Sequence, residues 1–263
     1  STKERIAPPA NQKTSVMQDL KDLAQNGPWK VLFVLALIIM MTISLRGSTG
    51  TFYFKYYVER PDLIGSFAMV YMIALAIGAA STPLLTKFID KRRLLMILMT
   101  IVAALSLTFY FVPKENITLM FVLQIMIGLA LGPKSPLVFS MYADTADFSQ
   151  WRTGRRATAM IFSAAAFAQK LGGAIAGAMI GWLLASLGYA ANQVQTDASQ
   201  AGIVLLMTLI PAVFAAIAVP LIYFYPLDDK KLTKLQQDLQ QNNEPGESEK
   251  SNSQVSSTGA VNV

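Results

Sequence analysis

Six long apolar stretches organise the chain, at about 30–54, 64–87, 94–112, 118–142, 157–187 and 203–225, each near or above the ~20 residues that cross a bilayer as a helix. Polar connections separate them. "LTKFIDKRR" (85–93) reads as a tight basic turn, whereas "YVERPDLIG" (57–65), "PKENI" (113–117) and "YAANQVQTDASQ" (189–200) read as loops at the other end. Ahead of the first stretch, Ser15 with Gln18 forms a capping-box pattern that starts a short amphipathic helix, ended by "NGP" before Trp29. Beyond the last, Leu232, Leu235 and Leu239 recur at helical spacing behind Asp228 and Asp229. They predict a short cytoplasmic helix over about 226–241 lying on the membrane surface. From 242 to 263 the chain is polar and rich in Ser, Asn and Glu, which predicts disorder. The expected fold is an all-α membrane protein: a six-helix bundle over 30–225, preceded by a cytoplasmic loop over 1–29.

Composition supports the same class. The 263 residues are 53% hydrophobic and 14% charged, with a mean hydropathy of +0.43, against roughly a quarter charged in soluble domains. Lysine and arginine set the orientation. With both termini in the cytoplasm, sixteen of the 22 fall on inner segments and three (Lys55, Arg60, Lys114) on outer ones. A multi-pass protein of the cytoplasmic membrane is expected. The net charge of +6 is therefore a topological signal, because no soluble basic face for nucleic acid is present. With no histidine and no cysteine, the stretch holds no histidine metal site, no Ser-His triad and no redox marker. No nucleophile–base constellation appears, so an enzyme is not expected. The chain begins at Ser1, and its first 29 residues read as an interior loop, as expected of a piece of a longer protein.

Charges inside the spans carry the chemistry. All sixteen acidic residues lie in loops, tails or span ends, but Arg46, Lys134 and Lys170 lie within the first, fourth and fifth spans. A charge near a helix centre costs roughly 2.5–3.5 kcal/mol on insertion scales, so it tends to face a wet cavity or a partner. Arg46 and Lys134 lie about eight residues from a span end, where snorkelling competes with a functional role. Lys170 lies about a dozen residues from either end, too deep for snorkelling, and is expected to have a functional or charge-paired role. Gly173, Gly177 and Gly181 share one face of its helix and are expected to pack against a neighbour within the chain, as are Gly128 and Gly132 in the fourth span. Pro133 and Pro136 interrupt the fourth helix beside Lys134, a device that borders cavities in transporters.

"MYADTADFSQWRTGRRATAM" (141–160) joins the fourth and fifth spans. Asp144 and Asp147 close one helix, while Arg152, Arg155 and Arg156 lead into the next. Such acid–base clusters can hold helices together in one state and release them in another. The spacing permits a pair between Arg156 and either aspartate.

The loop "ADTADFSQWRTGRR", the preceding "GLALGPKSP", the downstream "FSAAAFAQKLGG", and the "STKERIAPP" and "LRGSTGTFYFKYYV" segments resemble the glycoside–pentoside–hexuronide cation symporters of the major facilitator superfamily. The resemblance extends to about residue 228. It implies the C-terminal half of a twelve-helix sugar transporter, with a missing six-helix half supplying the other wall of the sugar site and the ligands of the coupling cation, H+ or Na+. No cofactor is implied. Carried over by position, Lys170 matches the lysine beside the sugar and cation sites. Asp144, Asp147 and Arg156 match the cytoplasmic gate, with Arg152 beside them. Gln150 departs from the glutamate usual there, and Lys134 stands where an uncharged residue is expected. Arg46, Lys134 and Lys170 together could attract an anionic sugar, or be neutralised by acids of the other half. A non-transporting sensor or partner subunit, or a lipid transporter of related fold, are the competing readings.

Overall fold

A computed structural model describes residues 16–155 and 157–243. Among them are ten α-helices, one π-helical turn, one 3-10 turn and no strand. The capping-box residue Ser15, and everything after Asn243, lie outside the described residues.

Local chemistry accounts for most boundaries. Helix α1 (Val16–Gln25) stops at Asn26, whose side chain accepts from the Trp29 amide at 3.0 Å and so starts α2 (Gly27–Phe52). Helix α2 ends in a π turn over Tyr53–Tyr57, and a 3-10 turn at Pro61–Leu63 leads into α3 (Ile64–Leu85). Next come α4 (Lys91–Tyr110) and α5 (Ile117–Leu131), the latter capped by Asn116. Helix α6 (Lys134–Thr153) follows the break at Gly132–Pro133 and ends at Gly154, whose φ of +70° suits a residue without a Cβ. The long α7 (Thr158–Ser186) is followed by α8 (Asp197–Met207), α9 (Leu209–Tyr223) and α10 (Asp229–Asn243). Six helical units are long and apolar enough to cross a membrane. They are α2 with its π turn, α3, α4, α5 with α6, α7, and α8 with α9.

Helix α6 runs well past the apolar stretch that announced it. Asp144, Asp147, Gln150 and Arg152 are therefore all on one helix, and Arg152 closes α6 rather than opening the next span. The polar extension persists because α1 and α10 pack against it.

Helix α2 is the hub, contacting α6, α7, α8 and α9. It buries half of its apolar window, whereas α3 buries 22% and turns Met69, Met72, Ile73 and Ile77 outward, the surface that hydrocarbon chains solvate. Close approach of α7 to α2 depends on Gly172, where a Cβ would lie 2.5 Å from the Leu37 carbonyl oxygen. This corrects the expectation for the neighbouring stripe. Gly177 and Gly181 meet nothing within 4 Å, and Gly173 comes only to 3.5 Å of Ser44 Oγ. Helices α3 and α5 do approach through glycine: a Cβ on Gly78 would lie 2.4 Å from Leu129 O, and one on Gly132 2.4 Å from Leu75 O.

Candidate functional site: an open helix face and a charged end

The three intramembrane cations have different surroundings. Arg46 is fully inside the bundle, at 2% exposure. Its Nη2 donates to Gln124 Oε1 at 2.6 Å, and its Nη1 to Met207 O at 3.0 Å and Ser106 Oγ at 3.4 Å. The guanidinium also lies 5.5 Å from the centroid of the Phe109 ring. The carbonyl of Met207 is available for a local reason. In a continuous helix it would accept from the amide of residue 211, but that residue is proline and has none. The chain breaks there between α8 and α9, with Thr208 at φ −123° and ψ −73°. Arg46 thus ties α2 to α4, α5 and the α8–α9 break, and its charge is dispersed over neutral partners.

Lys134 opens α6 just after the other break. It lines a cleft of ≈ 50 Å³ with Ala36, Ile39, Ser135, Tyr142 and Gln169, from α2, α6 and α7. Among the described residues no hydrogen bond or ion pair holds it. A few waters fit such a space. The ~300–1,000 Å³ of a small-molecule site does not.

Lys170, mid-way along α7 and next to Gln169, is exposed and has no hydrogen bond or ion pair to a described residue. Ser163, Ala166, Ala174, Gly177 and Gly181 share its outward face. Because Ser44 of α2 meets Gly173, the exposed Gly47, Ser48 and Thr51 of α2 run beside that stripe. Apart from the exposed Phe167 one turn before Lys170, the side chains around this lysine are small or polar, unlike the Met- and Ile-rich exterior of α3.

At the end of the bundle formed by the α3–α4 turn and the tips of α6 and α9, charges are paired. Asp144 accepts from Lys91 Nζ at 2.5 Å, and Lys91 also donates to Ser140 Oγ at 3.1 Å. Asp147 accepts from Gln236 of α10 at 3.0 Å, while Leu235 and Leu239 pack on Phe148. Arg152 donates to the Gln25 carbonyl at 2.8 Å, and Arg155 pairs with Asp19 at 2.7 Å and Asp22 at 3.3 Å. Asn26 adds a bond to Thr145 O at 3.1 Å. Burial, with the carboxylates of Asp144 and Asp229 nearby, pushes the Tyr225 hydroxyl well above its ordinary range, so it stays neutral. Gln150 is buried, with its Oε1 unpartnered among the described residues, so a glutamate there would add a further buried carboxylate to Asp22, Asp144 and Asp147. Arg156 lies outside the described residues.

The motif reading therefore found Asp144, Asp147 and Arg152 but missed several partners: Lys91, Asp19, Asp22 and Gln236. Asp19 and Asp22 could have been found, since they are three apart on an amphipathic helix and share a face. Nothing in the sequence singles out Gln236.

A family model described as MFS/sugar transport protein matches residues 1–229. The chain belongs to that family. It is 34% identical to the inner membrane symporter YicJ of Escherichia coli K12 over 81% of its own length and 46% of the relative's. It is 30% identical to the uncharacterized symporter YnaJ of Bacillus subtilis 168, over 91% of this chain and 52% of that one. With the isoprimeverose transporter of Lactiplantibacillus pentosus the identity is 28%, over 92% and 50%. The chain spans about half the length of the curated relatives it matches. Membership in this sugar-transport family agrees with the resemblance to the glycoside–pentoside–hexuronide symporters, and with the six apolar helical units.

Proposed function

We propose that this chain is the C-terminal half of a twelve-helix symporter that moves a glycoside, pentoside or hexuronide across the cytoplasmic membrane with H+ or Na+, by alternating access. The charged end faces the cytoplasm, and so do both termini, as the lysine and arginine distribution favours. Lys170 carries the reading. A lysine mid-way along a membrane helix, exposed and without a partner among the described residues, is tolerable only where that face borders water or a second protein surface. Lys134 lies at the edge of the same face, in a cleft with Gln169. The substrate cavity would lie between this face and a second six-helix unit, which also supplies the cation ligands.

The charged end would act as the cytoplasmic gate. Asp144, Asp147 and Arg152 would hold α6 against α4, α10 and α1 in one state and release them in another, with Arg156 assigned to the gate by the family resemblance alone. Arg46, grouped with the lysines by depth alone, serves as a tie between helices, since its Nη1 and Nη2 already donate to three neutral oxygens on other helices.

Uptake of a methyl glucoside and a methyl glucuronide by the full-length protein tests the assignment. Lys170→Ala is expected to lower both by about 10- to 100-fold, the worth of a charge-assisted hydrogen bond. A larger fall for the glucuronide assigns Lys170 to the carboxylate. Unchanged uptake of both contradicts the proposal.

A further inference from the structure

At the end of the bundle opposite the Lys91–Asp144 pair, the π turn of α2 meets the connection between α7 and α8. Between them lies an open surface cleft of ≈ 420 Å³ lined by Lys55, Tyr56, Glu59, Asn192, Gln193 and Gln200, a volume in the ~300–1,000 Å³ range of small-molecule sites. Its backbone is unusual. Glu59 and Asn192, each at φ 59°, are the non-glycine residues with positive φ among those described, and both line this cleft. Such conformations cost free energy in a residue with a Cβ, and they concentrate where a chain must present groups to something else.

The walls are held in place by groups that are thereby used up. Tyr189 donates to the Tyr56 hydroxyl at 3.1 Å, and the Asn192 amide donates to it at 3.1 Å. Burial, then the hydrogen bond to Tyr56, push the Tyr189 hydroxyl up to about 12. Lys55 Nζ donates to Asn192 Oδ1 at 2.8 Å. Gln195, buried under the loop, gives both amide hydrogens to carbonyls of Ala190 and Gln193 and accepts from Ser199 at 3.0 Å.

The remaining groups define the ligand. Among the described residues the Glu59 carboxylate, the Gln193 side-chain amide, the Asn192 Nδ2 and the Gln200 Oε1 line the cleft without a hydrogen-bond partner, and the Lys55 ammonium, 5.1 Å from the Tyr56 ring centroid, lines it beside them. They form a mixed set of donors and acceptors, and the one positive and one negative charge cancel. A simple anion would be repelled by Glu59, and a simple cation by Lys55. A neutral polyol, whose hydroxyls both donate and accept, matches the set.

We infer that this cleft is an outer recognition subsite for a neutral glycoside, which it binds before the sugar reaches the Lys170 face. The inference rests on the proposed transport function and on the orientation given with it.

The test uses full-length protein in vesicles, with radiolabelled methyl xyloside, methyl glucoside and methyl glucuronide as probes. In Gln193→Ala/Gln200→Ala the outside KM for the neutral glycosides is expected to rise about tenfold, from two lost hydrogen bonds, with Vmax unchanged. The half-saturating concentration for efflux from the cytoplasmic side should stay at the wild-type value, and Gln193→Asn should restore part of the loss. An unchanged outside KM overturns the inference, as do equal shifts on both sides of the membrane. Transport of the glucuronide alone by the wild type overturns the neutral-ligand assignment. A wild type that moves none of the three probes overturns the transport reading, and the subsite with it.

Discussion

The two broken spans show that one sequence signal can have two meanings. Each break contains a proline that strips a carbonyl of its amide partner, and each is associated with a basic residue inside the membrane region. At the α8–α9 break, Arg46 comes from another helix and donates to the orphaned Met207 carbonyl. At the α5–α6 break, Pro133 orphans the Leu129 carbonyl, but Gly78 of α3 lies against that oxygen, and Lys134 is left on a cleft without a partner among the described residues. A buried cation that satisfies broken backbone is part of the scaffold. One left unpartnered beside a break is available to a ligand or to another subunit.

Perturbing the sealed side of each break should cost most. Gly132→Val adds a Cβ that would lie 2.4 Å from Leu75 O and 2.6 Å from Ala79 N, both backbone. It is expected to part α3 from α5 at a cost above ~3 kcal/mol, or to prevent folding, read as lost monodispersity in detergent. Arg46→Met should cost about 3 kcal/mol, because it leaves the Met207 carbonyl and the Gln124 side chain buried and unpaired. Thermal unfolding in detergent measures this, and a shift no larger than that of a surface substitution breaks the comparison.

A double-mutant cycle sharpens it. Pro211→Ala restores an amide able to reach Met207 O, so Arg46→Met in that background should cost about 1 kcal/mol less than in the wild type. Additivity of the two changes means Arg46 does not serve the break. Lys134→Met should be the smallest effect, within ~0.5 kcal/mol on stability, since no partner is stranded. A large destabilisation there would show that the second break also depends on its cation.

The architecture was legible because hydropathy over ~20 residues is a strong signal, and Lys170 stood out for the same reason. Arg46 and Lys134 looked alike, each about eight residues from a span end by the apolar pattern. Only the packing of α2 against α4, α5 and α8 separates them, since hydropathy reports depth but not what lies alongside. The glycine stripe failed in a related way. Period four places Gly173, Gly177 and Gly181 on one face, yet which face turns inward depends on a neighbour the pattern does not contain, and one residue earlier Gly172 makes the contact. The reach of α6 to Thr153 was hidden because its last turns are polar and gain their burial from α1 and α10.

The most direct test of the contrast compares water access at positions 170 and 42 in full-length protein from which any other cysteine has been removed and which carries a single cysteine at either site; these 263 residues contribute none. Thr42 lies one turn from Arg46 and is fully buried. Lys170→Cys should react with a water-soluble maleimide and be slowed by transported sugar, whereas Thr42→Cys should stay unreactive in the folded protein. A silent cysteine at 170 under every condition, or one that reacts no faster than the cysteine at 42, contradicts the assignment of the α7 face to the substrate path.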